Sequence, residues 1–252
     1  MPITDFTFYL AAIPAVFLLG LAKGGFAGVG VLAMPLMALV ISPIHAASIM
    51  LPILIVQDAI SVWVYRQTFD RRNLMIMLPG ACVGVLLGYL FAAYVSDAAI
   101  EFAVGLIAVW LAIRNLVASR KAAPLPGQGH PVLGVFWGGV AGFVSMIANA
   151  GAPPFQIYVL PQRLERDIFV GTGVFFFAVV NWVKVPPFFA LNLFTREYLT
   201  TSLALIPLAI ASTALGVWLV RRVSTERFYF IIYLVMIGVG GKLVWDGLRG
   251  LI

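Results

Sequence analysis

Charged side chains are scarce in this chain: Asp, Glu, Lys and Arg make up 10% of its 252 residues, while 62% are hydrophobic. A soluble domain carries about 25% charged residues, so an ordinary globule in water is excluded and the bilayer is the expected solvent. Cysteine is rarer still, since the single Cys82 can form no internal disulfide and has no thiol partner for a metal site. The two histidines, His45 and His130, fall far apart at the expected ends of loops. An intramembrane enzyme needs clustered ligands or a nucleophile beside a base, so we expect no enzyme, no metal and no cofactor. No phosphate-binding loop is present, and there is no room for a nucleotide-binding domain. Energy for any transport must come from an ion gradient, the membrane potential or a separate subunit. Basic residues outnumber acidic ones by 16 to 10, but they sit in short clusters between apolar runs. That pattern orients a membrane protein and argues against a nucleic-acid partner. The first apolar run lacks the positively charged lead of a secretory signal and is expected to belong to the mature fold.

Two long stretches carry no charge at all: 34 residues between Lys23 and Asp58, and 41 between Lys121 and Arg163. The first is interrupted by Gly24-Gly25-Phe26-Ala27-Gly28-Val29-Gly30 and the second by Asn149-Ala150-Gly151-Ala152-Pro153-Pro154, compositions that break a helix. Each region therefore reads as a broken or re-entrant pair of helical pieces. Three apolar segments follow each, at about 46–65, 74–95 and 98–117, then at about 168–190, 198–220 and 228–248. At about 20 residues per crossing, this is an all-α polytopic membrane protein of about eight to ten membrane segments. Its expected units are a first repeat at 1–121, a linker at 122–130 and a second repeat at 131–252.

Loop charges set the orientation. Arg66, Arg71, Arg72, Arg114, Arg120, Lys121, Arg163, Arg166, Arg221, Arg222 and Arg227 fall on one side, and only Arg196 and Arg249 on the other. The positive-inside rule makes the first side cytoplasmic and both termini external. An offset of 128 aligns Leu78–Ser96 with Ile206–Ser224 at six identities, and Phe69-Asp70-Arg71-Arg72-Asn73-Leu74 resembles Phe194-Thr195-Arg196-Glu197-Tyr198-Leu199. Since the halves begin on opposite sides, they are expected to be inverted repeats, a transporter architecture.

The run from Gly20-Leu21-Ala22-Lys23-Gly24-Gly25 through Met34-Pro35-Leu36 resembles the glycine-rich opening of the TauE/SafE sulfite exporter family. Ser145 to Gln156 and Asn181-Trp182-Val183-Lys184-Val185-Pro186-Pro187 are also similar to it, so the resemblance covers essentially the whole chain. The second glycine-rich segment departs from the commoner run of glycines by carrying Asn149 and Ala152-Pro153. The resemblance implies transport of sulfite, a small organosulfonate or a related anion across a bacterial inner membrane. The expected partners are that anion and the lipid bilayer, and the oligomeric state is left open.

Broken helices present free backbone N–H groups and a positive dipole end at membrane depth, which suits an anion. Gly28, Gly30 and Gly151 permit close backbone approach. The alternative is packing, since Gly20, Gly24 and Gly28, like Gly134, Gly138 and Gly142, form small-residue faces. Lys23 and Lys184 stand out because a buried ammonium costs about 2.5 kcal/mol or more unless it meets water, a carboxylate or a ligand. Lys23 has the second reading of a residue reaching the cytoplasmic surface. Asp58, the one acid deep in an apolar segment, pairs with either lysine or carries a coupling proton or ion. An offset of 124 matches Gln57 with Asn181 and Ser48 with Thr172, groups able to hydrogen-bond an anion or to join helices. Asn149 and Gln156 flank the second break and complete the candidate substrate-binding set. Lys242 and Asp246, four residues apart, read as a structural pair. The expected function is a secondary transporter with alternating access around a midplane anion site; the alternative is an anion channel or an uptake permease for another small organic anion.

Overall fold

The computed structural model describes residues 2–26, 29–38, 40–41, 43–91 and 129–251, with isolated positions between 98 and 116. Gly28, Arg114, Arg120, Lys121, half of the segment expected at 98–117 and positions 122–128 of the linker lie outside the described residues. Among the described residues every regular element is helical. Helix α1 (Phe6–Gly24) starts at Asp5, whose carboxylate caps the Thr7 N–H at 3.0 Å. The Thr7 hydroxyl and N–H hold that carboxyl below its ordinary value. After a 3-10 turn at Val29–Leu32 come α2 (Ala33–Ala38), α3 (Pro43–Tyr65) and α4 (Arg71–Phe91). The second half comprises α5 (Pro131–Ala148), α6 (Ala152–Val159), a 3-10 turn at Leu160–Gln162, α7 (Arg166–Ala190), α8 (Arg196–Arg221) and α9 (Thr225–Leu251).

Both interrupted regions resolve into unequal pieces, a long helix followed by one of six or eight residues. Neither short piece is long enough to cross a bilayer. Among the described residues, five helices are long and apolar enough to do so: α1, most of α3, α4, α7 and α8. Helices α7 and α8 start a few residues earlier than their apolar runs. Acidic Asp167 and Glu197 occupy the first turns, where they complement the helix dipole, and Thr195 caps the Tyr198 N–H. Large apolar side chains such as Met75, Trp63 and Leu203 are about two-thirds exposed. That surface suits lipid and would associate in water. The protein is a multi-pass membrane protein.

Packing crosses the chain order. Helix α1 lies along α8, and α5 lies along α4. Glycine makes both seams possible: a Cβ on Gly24 would sit 2.5 Å from the Gly216 backbone, and one on Gly142 or Gly138 would run into the backbone of Ala81 or Met77. Helices α3 and α7 meet between these seams. At one end of the bundle, Arg166 donates to the Val223 carbonyl, Arg72 donates to the Gly129 carbonyl at 3.3 Å, and the amides of Asn73 and Gln162 bond reciprocally at 2.9 and 3.1 Å. At the other end, Ile3 N–H donates to the Thr201 hydroxyl at 3.0 Å and His45 lies 5.1 Å from the Tyr198 ring. His130 takes the N-cap position of α5 without a side-chain capping bond. Lys242 and Asp246 form a half-exposed ion pair one turn apart on α9.

Candidate functional site

A polar stripe on α3 meets the end of α1. Gly25, at φ 141°, turns the chain out of α1, a conformation that strains any residue with a Cβ. The last carbonyls of a helix have no partner within it, and two hydroxyls from α3 supply partners here. Ser61 donates to the Lys23 carbonyl at 2.9 Å, and Tyr65 donates to the Gly24 carbonyl at 2.8 Å. Lys23 is thereby fixed with its ammonium donating to one oxygen of Asp58. The Asn181 amide of α7 donates to the other oxygen at 2.6 Å. Of the two lysines that the sequence offers as partners for Asp58, the fold pairs it with Lys23.

A second polar cluster forms at the α5 interruption. Asn149 ends α5 in the left-handed conformation, φ 50°, where asparagine substitutes for the usual glycine. This accounts for asparagine at a point where glycine is commoner. Its side-chain oxygen accepts from Lys184 Nζ at 2.7 Å, and its amide nitrogen donates to Met34 Sδ at 3.5 Å. Ser145, one turn earlier, accepts from the same ammonium through its hydroxyl at 3.3 Å and its carbonyl at 3.4 Å. Lys184 is 1% exposed, and its partners among the described residues are all neutral.

Between the clusters lies a cavity of about 100 Å³, several times the ~10–15 Å³ that one water requires on the same measure. Lys23, Gly25 and Gly30 line it from the first interruption, and Ser145, Asn149 and Gly151 from the second, with Asn181 between. The rest of the wall is apolar, including Leu19, Met34, Met50, Leu54, Phe155 and Phe177, and Lys23 Nζ stands 5.7 Å from the Phe177 ring centroid. Asp58 and Lys184 sit one hydrogen bond behind this lining. By a rise of 1.5 Å per residue, Asp58 is about 10 Å and Asn181 about 14 Å from the nearest end of its helix, well within the bundle.

Backbone donors at the second break are fewer than the sequence suggested. Of the four N–H groups that a helix leaves free at its start, those at Pro153 and Pro154 do not exist, so Gly151 and Ala152 alone remain at the start of α6. Gly151 also packs, since a Cβ there would lie 2.6 Å from the Ala141 carbonyl oxygen, and one at Gly30 would lie 2.9 Å from the Ala22 Cβ. Gln57 and Gln156 are fully buried but are not among the residues lining the cavity. Neither amide atom of Gln57 has a hydrogen-bond partner among the described residues. Thr172 joins segments near the arginine-rich end, accepting from Asp70 N–H at 2.9 Å and donating to the Ile168 carbonyl at 2.6 Å; Ser48 is fully buried in α3. Sequence reasoning missed Ser145, Ser61, Tyr65 and Phe177 as site residues. Helical spacing carried a signal for the first two: Ser145 lies four residues before Asn149, and Ser61 three after Asp58.

A helical membrane protein with a buried, mainly apolar cavity, lined from both chain halves and edged by Lys23, has the build of a membrane transporter. A family model described as Sulfite exporter TauE/SafE matches residues 12–243, and the chain belongs to that family. Membership in this transporter family makes it a membrane transporter. Comparison with curated proteins and with solved structures gave no match.

Proposed function

We propose that this protein is a secondary transporter that moves sulfite, a sulfonate or a related small anion across the bacterial inner membrane by alternating access around the central cavity. The observation that carries the reading is Lys184. Its ammonium is buried among neutral oxygens, and an unpaired charge at this depth is costly, so an anion in the adjoining cavity relieves it. Lys23, Gly30, Asn149, Gly151 and Asn181 contact the anion, and Lys184 acts through Asn149 and Ser145. Gln57, next to Asp58 and within two turns of the cavity residues Leu54 and Met50, is assigned to the same site, as are Gln156 on α6 and Gly28 in the first interruption. Asp58 is the candidate for coupling to a proton or ion.

The arginine-rich end is assigned to the cytoplasm and both termini to the periplasm, following the excess of basic residues there. Two features support inverted repeats at 1–121 and 131–252: each half contains a long helix followed by a short one, and the first long helix of each packs on a later helix of the other half. An inside-negative potential by itself favours anion efflux. Counterflow in proteoliposomes across a panel of anions tests the function. Saturable exchange of labelled sulfite or sulfonate is expected, whereas flux that rises linearly with concentration and shows no counterflow would make the protein a channel.

A further inference from the structure

We infer that Asp58 makes the cavity a charge filter, selecting a singly charged anion with an apolar tail over a doubly charged one. The inference rests on the anion-site reading above and concerns which anions that site accepts. Three charged groups meet around the cavity: Lys23 and Lys184, with Asp58 between their clusters. Both oxygens of Asp58 accept hydrogen bonds, one from the Lys23 ammonium and one from the Asn181 amide. Acceptance at both oxygens is the hydrogen-bond pattern of a carboxylate. Lys184 donates to three oxygens, the pattern of an ammonium, so the local sum is one net positive charge, which a monoanion neutralises. A dianion leaves the buried site with one excess negative charge, a state that low-dielectric surroundings penalise.

Shape and chemistry of the wall agree with this arithmetic. The polar lining, from Lys23, Ser145, Asn149 and Asn181, is matched by a larger apolar surface that includes Phe155, Phe177 and Leu54. A bare inorganic ion would bring no apolar surface to meet those side chains. A sulfonate carries one charge at one end and a hydrocarbon chain at the other, so it satisfies both parts of the lining. Asp58 does not line the cavity. It acts through Lys23 and Asn181 as a positioning and charge-setting residue, and it repels a second negative charge. At a separation of about 7 Å and an effective dielectric near 20, its charge takes back about fiftyfold of the affinity that each unit of negative charge gains from the two lysines, so a second charge gains little to set against its lost hydration.

The test uses purified full-length protein and calorimetry or concentration-dependent thermal stabilisation. Methanesulfonate, ethanesulfonate and propanesulfonate are compared with sulfate and 1,3-propanedisulfonate. Affinity should rise about threefold to fourfold per added methylene until the cavity is filled, and both dianions should bind at least about tenfold more weakly than propanesulfonate. Asp58→Asn should abolish that preference by raising the local charge. The double variant Lys23→Met/Asp58→Asn removes the pair together, keeps the net charge of the parent and should restore the preference for monoanions. Sulfate binding as tightly as propanesulfonate in the parent would overturn the charge filter while leaving the anion site standing, and that comparison needs no variant to fold. An unchanged ratio in folded Asp58→Asn would overturn it as well. Binding of neither class of anion would remove the anion site itself and the filter with it.

Discussion

Replacing Lys184 by methionine separates binding from folding. The ammonium lies 2.7 Å from the Asn149 oxygen, and the Asn149 side chain faces the cavity, so an anion there sits about 6 Å from the charge. At an effective dielectric near 20, losing that attraction costs about 3 kcal/mol, or about a hundredfold in affinity. Stability should change far less, because two effects oppose each other. Removing a charge buried at this depth recovers about 2.5 to 3.5 kcal/mol, while leaving Asn149 and Ser145 with unpaired acceptors costs about 1 to 3 kcal/mol. Lys184→Met should therefore unfold in detergent at close to the parental temperature, yet lose anion-dependent stabilisation and counterflow. Lys242→Met is the control: its half-exposed pair with Asp246 contributes at most about 1 kcal/mol, and transport should survive. Normal anion affinity in folded Lys184→Met would refute the assignment of its charge to the site.

Orientation is tested in a Cys82→Ser background with single cysteines at Arg71, Arg222 and Arg196, all exposed positions. An impermeant thiol reagent applied to intact cells should label only the last, and labelling of the first two would invert the topology. The α1–α8 seam is tested with Gly24→Ala. Its Cβ meets the Gly216 backbone, and the variant should lose about 1 to 3 kcal/mol in detergent unfolding. A Cβ at Gly241 meets nothing within 4 Å among the described residues, so Gly241→Ala should be neutral or gain up to about 1 kcal/mol. Equal stability of the two variants would show that the seam yields more easily than its geometry implies.

How much of this was legible from sequence depends on distance along the chain. Lys242 and Asp246 are four residues apart on one helix, and helical periodicity alone pairs them. Lys23 and Asp58 are 35 residues apart, and their pairing follows from how α1 meets α3, which no local pattern encodes. Both Lys23 and Lys184 were visible because a charge within or beside a long apolar run is conspicuous. Asp58 was visible as a partner for either one and Asn149 as a candidate at the break, but that Ser145 and Asn149 together hold Lys184 was not, since it depends on α5 ending in a left-handed turn. The glycines divide similarly. Gly20, Gly24, Gly134, Gly138 and Gly142 abut other helices, as their spacing suggested, whereas Gly30 and Gly151 both pack and line the cavity, and spacing cannot separate those roles. The run Asn149-Ala150-Gly151-Ala152-Pro153-Pro154 was legible as a helix break. That each proline also deletes a donor from the helix start emerged only once the start was located at Ala152.

The exchange of long helices has a mechanical consequence. Helix α1 is joined to α8 through Gly20, Gly24 and Gly216, and α4 is joined to α5 through Gly80, Gly84, Gly138 and Gly142. Contacts this close between backbones have no side-chain cushion and cannot slide without collision. Any motion that opens the cavity must therefore carry α1 with α8 as one body, or α4 with α5 as another, and the breaks at Gly25 and Asn149 are where the chain bends between bodies. Rocking residues 1–121 as a block against 131–252 would shear both seams at once.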